Sequence, residues 1–76
     1  MNEYGVEMIP VSSSTLQAIG YDEINKVLYV LFNKGSLYCY QDVPIAEFYG
    51  LQNASSKGTY LNANIKIGPY SYQRLE

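Results

Sequence analysis

Val27-Leu28-Tyr29-Val30-Leu31-Phe32, Asn33-Lys34-Gly35 and Ser36-Leu37-Tyr38-Cys39-Tyr40 form the stretch from which the rest of the chain is read. The first run is rich in β-branched and aromatic residues, and so is the last, as strands favour. Between them lies a three-residue loop ending in glycine. That spacing suits a type I turn closed by a glycine bulge, because Gly35 accepts the left-handed conformation without steric cost. The register then pairs Phe32 with Ser36, Val30 with Tyr38 and Leu28 with Tyr40. Leu28, Val30, Phe32, Tyr38 and Tyr40 share one face, the expected core side. A two-residue turn at Lys34-Gly35 would slip the pairing by one and move both tyrosines to the face of Tyr29 and Leu31. The first register unites rings with alternating aliphatics and is preferred.

Upstream, Leu16-Gln17-Ala18-Ile19-Gly20-Tyr21 reads as a strand. A turn from Asp22 to Lys26 joins it to Val27, with Asn25 suited to a positive φ. Ser12-Ser13-Ser14-Thr15 reads as a bend, and Val6, Met8 and Ile9-Pro10-Val11 as a short extended start, with Pro10 marking an edge. Downstream, Asp42-Val43-Pro44 ends the hairpin and opens a helix, with Asp42 or Val43 at the boundary and Pro44 in the first turn. Ile45, Phe48, Leu51 and Ala54 recur every three residues and give that helix one apolar stripe. Ser55, Ser56 and Gly58 end it. After Thr59-Tyr60-Leu61 and Ile65-Lys66-Ile67, Gly68-Pro69 makes a break, and Tyr70-Ser71-Tyr72 reads as a short strand returning to the sheet. The expected architecture is α+β: an antiparallel meander of three to four strands packed against one α-helix.

Composition excludes several classes. At 76 residues the chain holds one domain. It is 47% hydrophobic and 16% charged with net charge -2, unlike a disordered chain. The apolar run Val27–Phe32 is far below the roughly 20 residues of a membrane helix. Met1 to Gly5 shows neither a basic nor an apolar leader region, and a single cysteine makes no internal disulfide; the expectation is a cytoplasmic protein without membrane attachment. The closing Leu75-Glu76 commonly precedes affinity tags in expression vectors, so the functional reading covers residues 1–74.

The chain has no histidine, so it supplies neither a Ser-His-Asp triad nor a Cys-His pair. One Cys and no His exclude the ordinary zinc sites. Acidic residues are scattered, Asp22-Glu23 being the one adjacent pair, and phosphate-binding glycine motifs are missing. The expectation is a non-enzyme without metal or cofactor. Nine tyrosines against two phenylalanines are the unusual count. Their rings fill a thin core with hydroxyls at its rim, or they form a surface for stacking on bases or anchoring a partner. The core reading is preferred, Tyr38 and Tyr40 included. Cys39 then lies beside Tyr29 on the other face as a small apolar residue.

The ordered pieces Val11-Ser12-Ser13, Ile19-Gly20-Tyr21-Asp22, Leu28-x-Val30-x-Phe32-x-x-Gly35, Tyr38-x-Tyr40, Val43-Pro44, Leu51, Ala54 and Ser56-Lys57-Gly58-x-Tyr60-x-Asn62 cover most of the chain. Together they resemble the KTSC family, a short bacterial domain found alone or at the C-terminus of some lysyl-tRNA synthetases. One departure is Lys66, near which the family often has Arg. The resemblance implies that Tyr21, Tyr38, Tyr40, Pro44, Ser56, Gly58 and Asn62 are motif positions, read here as structural. The synthetase fusion implies RNA binding, with Tyr60 stacking and Lys34, Lys57, Lys66 and Arg74 meeting phosphates. A pI near 4.9 weighs against a strongly basic RNA footprint. The alternative is a protein-interaction or self-associating module that uses the tyrosine-rich sheet. For Ser56-Lys57-Gly58, capture of a small anion is the weaker reading, and a helix stop with Gly58 in the left-handed position the preferred one.

Overall fold

A computed structural model describes residues 5–76; the reading of the leader region at Met1–Tyr4 lies outside the described residues. Five strands form one antiparallel meander in chain order: β1 (Ile9–Pro10), β2 (Leu16–Asp22), β3 (Val27–Phe32), β4 (Leu37–Tyr40) and β5 (Tyr72–Arg74). Between β4 and β5 lie helix α1 (Ile45–Asn53), helix α2 (Lys57–Tyr60) and a π-helical segment, Leu61–Lys66, that continues α2 without a break. The fold is therefore α+β, with one strand and one helical segment beyond the meander and single helix expected.

The central hairpin takes the preferred register. Leu28 pairs with Tyr40 and Val30 with Tyr38, and the Phe32 amide donates to Ser36 O at 2.9 Å. Gly35 stands at φ +96 and its amide donates back to Phe32 O at 2.8 Å, so the loop needs the glycine. In the β2–β3 turn the positive φ falls on Lys26, at 57, and not on Asn25. Asn25 is held otherwise: Asp22 accepts from the amides of Ile24 and Asn25 and from the Asn25 side chain. With both its backbone and side-chain donors used by Asp22, Asn25 leaves the left-handed position to its neighbour.

A bulge at Gln17 shapes β2. Leu16 pairs with Phe32 but Ala18 pairs with Leu31, so Gln17 is the extra residue. Leu16 and Ile19, three apart, therefore both point toward the helices, and both are fully buried. They join Leu28, Val30, Tyr40, Val43, Phe48, Leu51, Leu61 and Ile65 in one core. Tyr38 takes the core-side face expected of it and packs against this cluster, but only half-buried, at its margin. On the opposite face, Val27, Leu37 and Cys39 are buried, and residues 6–8 cross so close to Gly20 that a Cβ there would lie 2.8 Å from Val6 and Met8.

Two capping expectations are corrected. Pro44 is the residue before α1, not in its first turn, because Asp42 at φ 58 and Val43 first turn the chain away from β4. The Val43 amide donates to Lys26 O, and Val43 O accepts from the Tyr21 hydroxyl, fixing that turn against the β2–β3 end. Helix α1 ends at Asn53, and Ser56-Lys57-Gly58 opens α2 in place of stopping α1. Gly58 has no positive φ; it is small because Thr15 packs against it, and a Cβ would sit 2.8 Å from Thr15 Oγ1.

Candidate functional site: an aromatic and basic groove on the sheet

On the helix side of the sheet a groove with a volume of about 940 Å³ is lined by residues of β3, β4 and β5 together with Lys66, the Ser14–Thr15 bend and the hairpin loop. Alternation places its floor. Tyr38 and Tyr40 face the helix side on β4, and the antiparallel register brings Arg74 opposite Tyr38 and Tyr72 opposite Tyr40. Tyr72 is 64% exposed, with its ring centroid 6.1 Å from Tyr38 and 6.0 Å from Tyr40. Phe32 meets Tyr38 edge to face at 5.5 Å and 85°. Tyr40 is buried to 2% exposure, which pushes its hydroxyl pKa up to about 12, with Tyr38 and Tyr72 adding to the shift.

Cations ring this floor. Lys34 stands on the hairpin loop, Arg74 on β5, and Lys66 at the end of the π-helical segment with its ammonium 5.7 Å from the Phe32 centroid. That placement is a cation–π contact. The π-helical segment brings it about: Leu61 and Ile65 are both buried, and the next residue is turned out over the sheet. Three of the chain's five Lys and Arg residues thus line one groove, no acidic side chain among the described residues does, and Arg74 Nε donates to Glu76 O at 3.0 Å. A net charge of -2 conceals a local positive site.

The wall near Lys34 is braced. Ser13 Oγ accepts from the amides of Thr15 and Leu16, which turns the polar bend into β2. The Asn33 amide donates to Thr15 O at 3.0 Å and its side chain to Ser13 O at 3.2 Å. The hairpin tip is therefore tied to the bend, and Ser14 and Ser36 line the groove.

Of the candidate binding residues, the structure brings Lys34, Lys66 and Arg74 together and places Lys57 and Tyr60 elsewhere. Lys57 Nζ donates to Ala54 O at 3.0 Å, satisfying a carbonyl just past α1. The Tyr60 hydroxyl donates to Glu47 Oε1 at 2.6 Å, and Tyr70 donates to Glu47 Oε2 at 3.1 Å. Both tyrosines have raised pKa values; the carboxylate bond is the main cause for Tyr60, and burial followed by that bond for Tyr70. Among the motif positions, Tyr21 stacks on Phe48 at 5.4 Å and holds Val43 O. Ser56 Oγ donates to Thr59 Oγ1 at 2.9 Å. Pro44 precedes α1, Gly58 receives Thr15, and Asn62 is exposed. Sequence reasoning did not single out Phe32 and Tyr72 as groove residues. The pairing of β5 with β4 was the missing information.

Comparison with known proteins places the sequence and the fold. The chain is 34% identical over 71 residues to an uncharacterized protein of Stutzerimonas stutzeri, covering 93% of this chain and 100% of that one. It is also 34% identical over 68 residues, 90% of its length, to a lysine–tRNA ligase of Nostoc, of which it spans 12%. A crystal structure of a KTSC domain protein from Yersinia pestis superimposes with a TM-score of 0.88 at 32% identity, covering 95% of this chain and 100% of that one. The KTSC domain family model matches residues 12–70, and the chain belongs to the KTSC family.

Proposed function

We propose that this protein is a non-catalytic binding module whose sheet groove takes single-stranded RNA. The observation that carries the reading is the co-location of Lys34, Lys66 and Arg74 with Tyr38 and Tyr72 in one groove, with no acidic side chain among the described residues lining it. Unpaired bases stack on exposed aromatic rings, and cations beside the rings take the phosphates. The relative among lysine–tRNA ligases supports an RNA-linked role. The sequence has no His, the usual general base near neutral pH, which favours binding over chemistry. No helix among the described residues is long and apolar enough to cross a membrane.

The second reading, a protein-interaction or self-associating module, is favoured by one observation: β5 is the last strand of the sheet and all three of its residues are exposed. An extended segment, from a partner or a second copy, would add to that edge. Fluorescence anisotropy of labelled single-stranded RNA at low salt separates the readings. Binding that is lost in the Lys34→Gln, Lys66→Gln, Arg74→Gln triple variant supports the groove. No binding at low salt, with a dimer mass by light scattering, supports the edge.

A further inference from the structure

The groove holds few exposed rings and cations, and their number says what unit of RNA it takes. Tyr40 is buried and has no free face, and the face of Phe32 is occupied by Lys66. Tyr72 is the exposed ring, and the half-buried Tyr38, met edge to face by Phe32, lies beside it 6.1 Å away and inclined by 33°. Two neighbouring rings at this separation accept two successive bases. The cations bracket them from three sides: Lys34 from the hairpin tip, Arg74 from β5 and Lys66 from the helical side. No further cation extends the track: Lys57 and Lys26 are absent from the groove lining, Lys57 lying past α1 with its ammonium on Ala54 O and Lys26 in the β2–β3 turn, whereas Arg74 lines the groove and gives only its Nε to Glu76 O.

Resting on the RNA-binding reading, we infer that the recognised unit is a di- to trinucleotide, with bases on Tyr38 and Tyr72 and flanking phosphates held by Lys34, Lys66 and Arg74. Ring stacking tolerates any base, so the unit is taken without regard to sequence. Duplex RNA is excluded, because its bases are paired and stacked on one another and offer no face to the rings. The ligand is a short phosphodiester-linked nucleotide unit, either free or as an unpaired segment of a longer RNA.

The test is a length series at low salt: 5′-phosphorylated oligonucleotides of two, three, four, six and twelve nucleotides, so that the trinucleotide presents three phosphates to the three cations, together with a hairpin duplex, titrated against the full chain. Affinity is expected to rise to the trinucleotide. Beyond it, the gain is expected to follow only the number of overlapping registers, roughly tenfold for a twelve-nucleotide strand. Tyr72→Ala is expected to weaken every length by the same factor, about tenfold or more. Binding of di- and trinucleotides as tight per register as that of the longer strand assigns the free unit as sufficient. Affinity that climbs well beyond the register count, or equal binding of the duplex, overturns the short-unit inference while leaving RNA binding intact. No binding at any length overturns the RNA reading itself.

Discussion

The Tyr60 hydroxyl donates to Glu47 Oε1 at 2.6 Å, and to reach it the ring crosses α1 over Gly50. A Cβ on Gly50 would overlap the Tyr60 hydroxyl. The other Glu47 oxygen accepts from Tyr70. One carboxylate thus joins α1 to α2 and to the segment leading into β5, the two pieces that carry Lys66 and Tyr72 to the groove. Gly50→Ala is expected to destabilise the domain by about 1–2 kcal/mol, because overpacking outweighs the roughly 1 kcal/mol gain in helix propensity. Urea denaturation checks this. A more stable variant would show that Tyr60 does not lie across the helix.

Tyr38 and Tyr40 differ by more than their two-residue spacing suggests. Tyr40→Ala empties a buried site and is expected to cost about 3–5 kcal/mol. Tyr38→Ala removes a half-buried ring whose neighbours are Phe32 and Tyr72, and is expected to cost about 1–2 kcal/mol. Thermal melts separate the two, and the folded Tyr38→Ala variant is expected to lose RNA affinity. Equal destabilisation would place Tyr38 in the core.

Gly35 has open space around it, so its cost on substitution is backbone strain alone. Gly35→Val is expected to destabilise by about 1–2 kcal/mol at φ +96. Chemical denaturation of parent and variant reads the difference. Unchanged stability would contradict the bulged three-residue turn.

Alkaline pH tests the burial of Tyr40. Its folded pKa of about 12 lies above the ordinary 10.0, so its neutral form is favoured by folding. Its stabilising contribution is complete below pH 10, falls as the unfolded phenol ionises, and is lost through pH 12. The expected loss by pH 12 is roughly 2–3 kcal/mol. Tyr40→Phe is expected to flatten that decline, measured as denaturation midpoint against pH. A parallel decline in the variant would contradict the assignment.

Much of this molecule can be read before its structure is known, and the reasons differ by element. The β3–β4 hairpin is legible because strict alternation and a glycine at the turn both select one register. Helix α1 is legible from its Phe48 and Leu51 stripe. The α2 helix is obscured by Gly58, which reads as a stop although its size answers to Thr15. The i, i+4 pair Leu61 and Ile65 was the available signal. Gln17 gives no local sign of its bulge, since the bulge is set by pairing with β3. The groove depends on tertiary placement: Lys34 and Arg74 are far apart in sequence, and only the β4–β5 register sets Arg74 opposite Tyr38. Lys57 and Tyr60 look like binding residues by type, and their commitments to Ala54 and Glu47 are visible only in the fold.

The salt dependence of RNA affinity tests the groove most directly. Three cations meeting phosphates give a slope of about -2 in log affinity against log salt concentration for a single strand. Arg74→Gln is expected to lower the affinity and reduce the slope by about 0.7, and Lys66→Gln likewise, while Lys57→Gln leaves both unchanged. If Lys57→Gln flattens the slope and Arg74→Gln does not, or if no single-stranded RNA binds at low salt, the groove is not an RNA site.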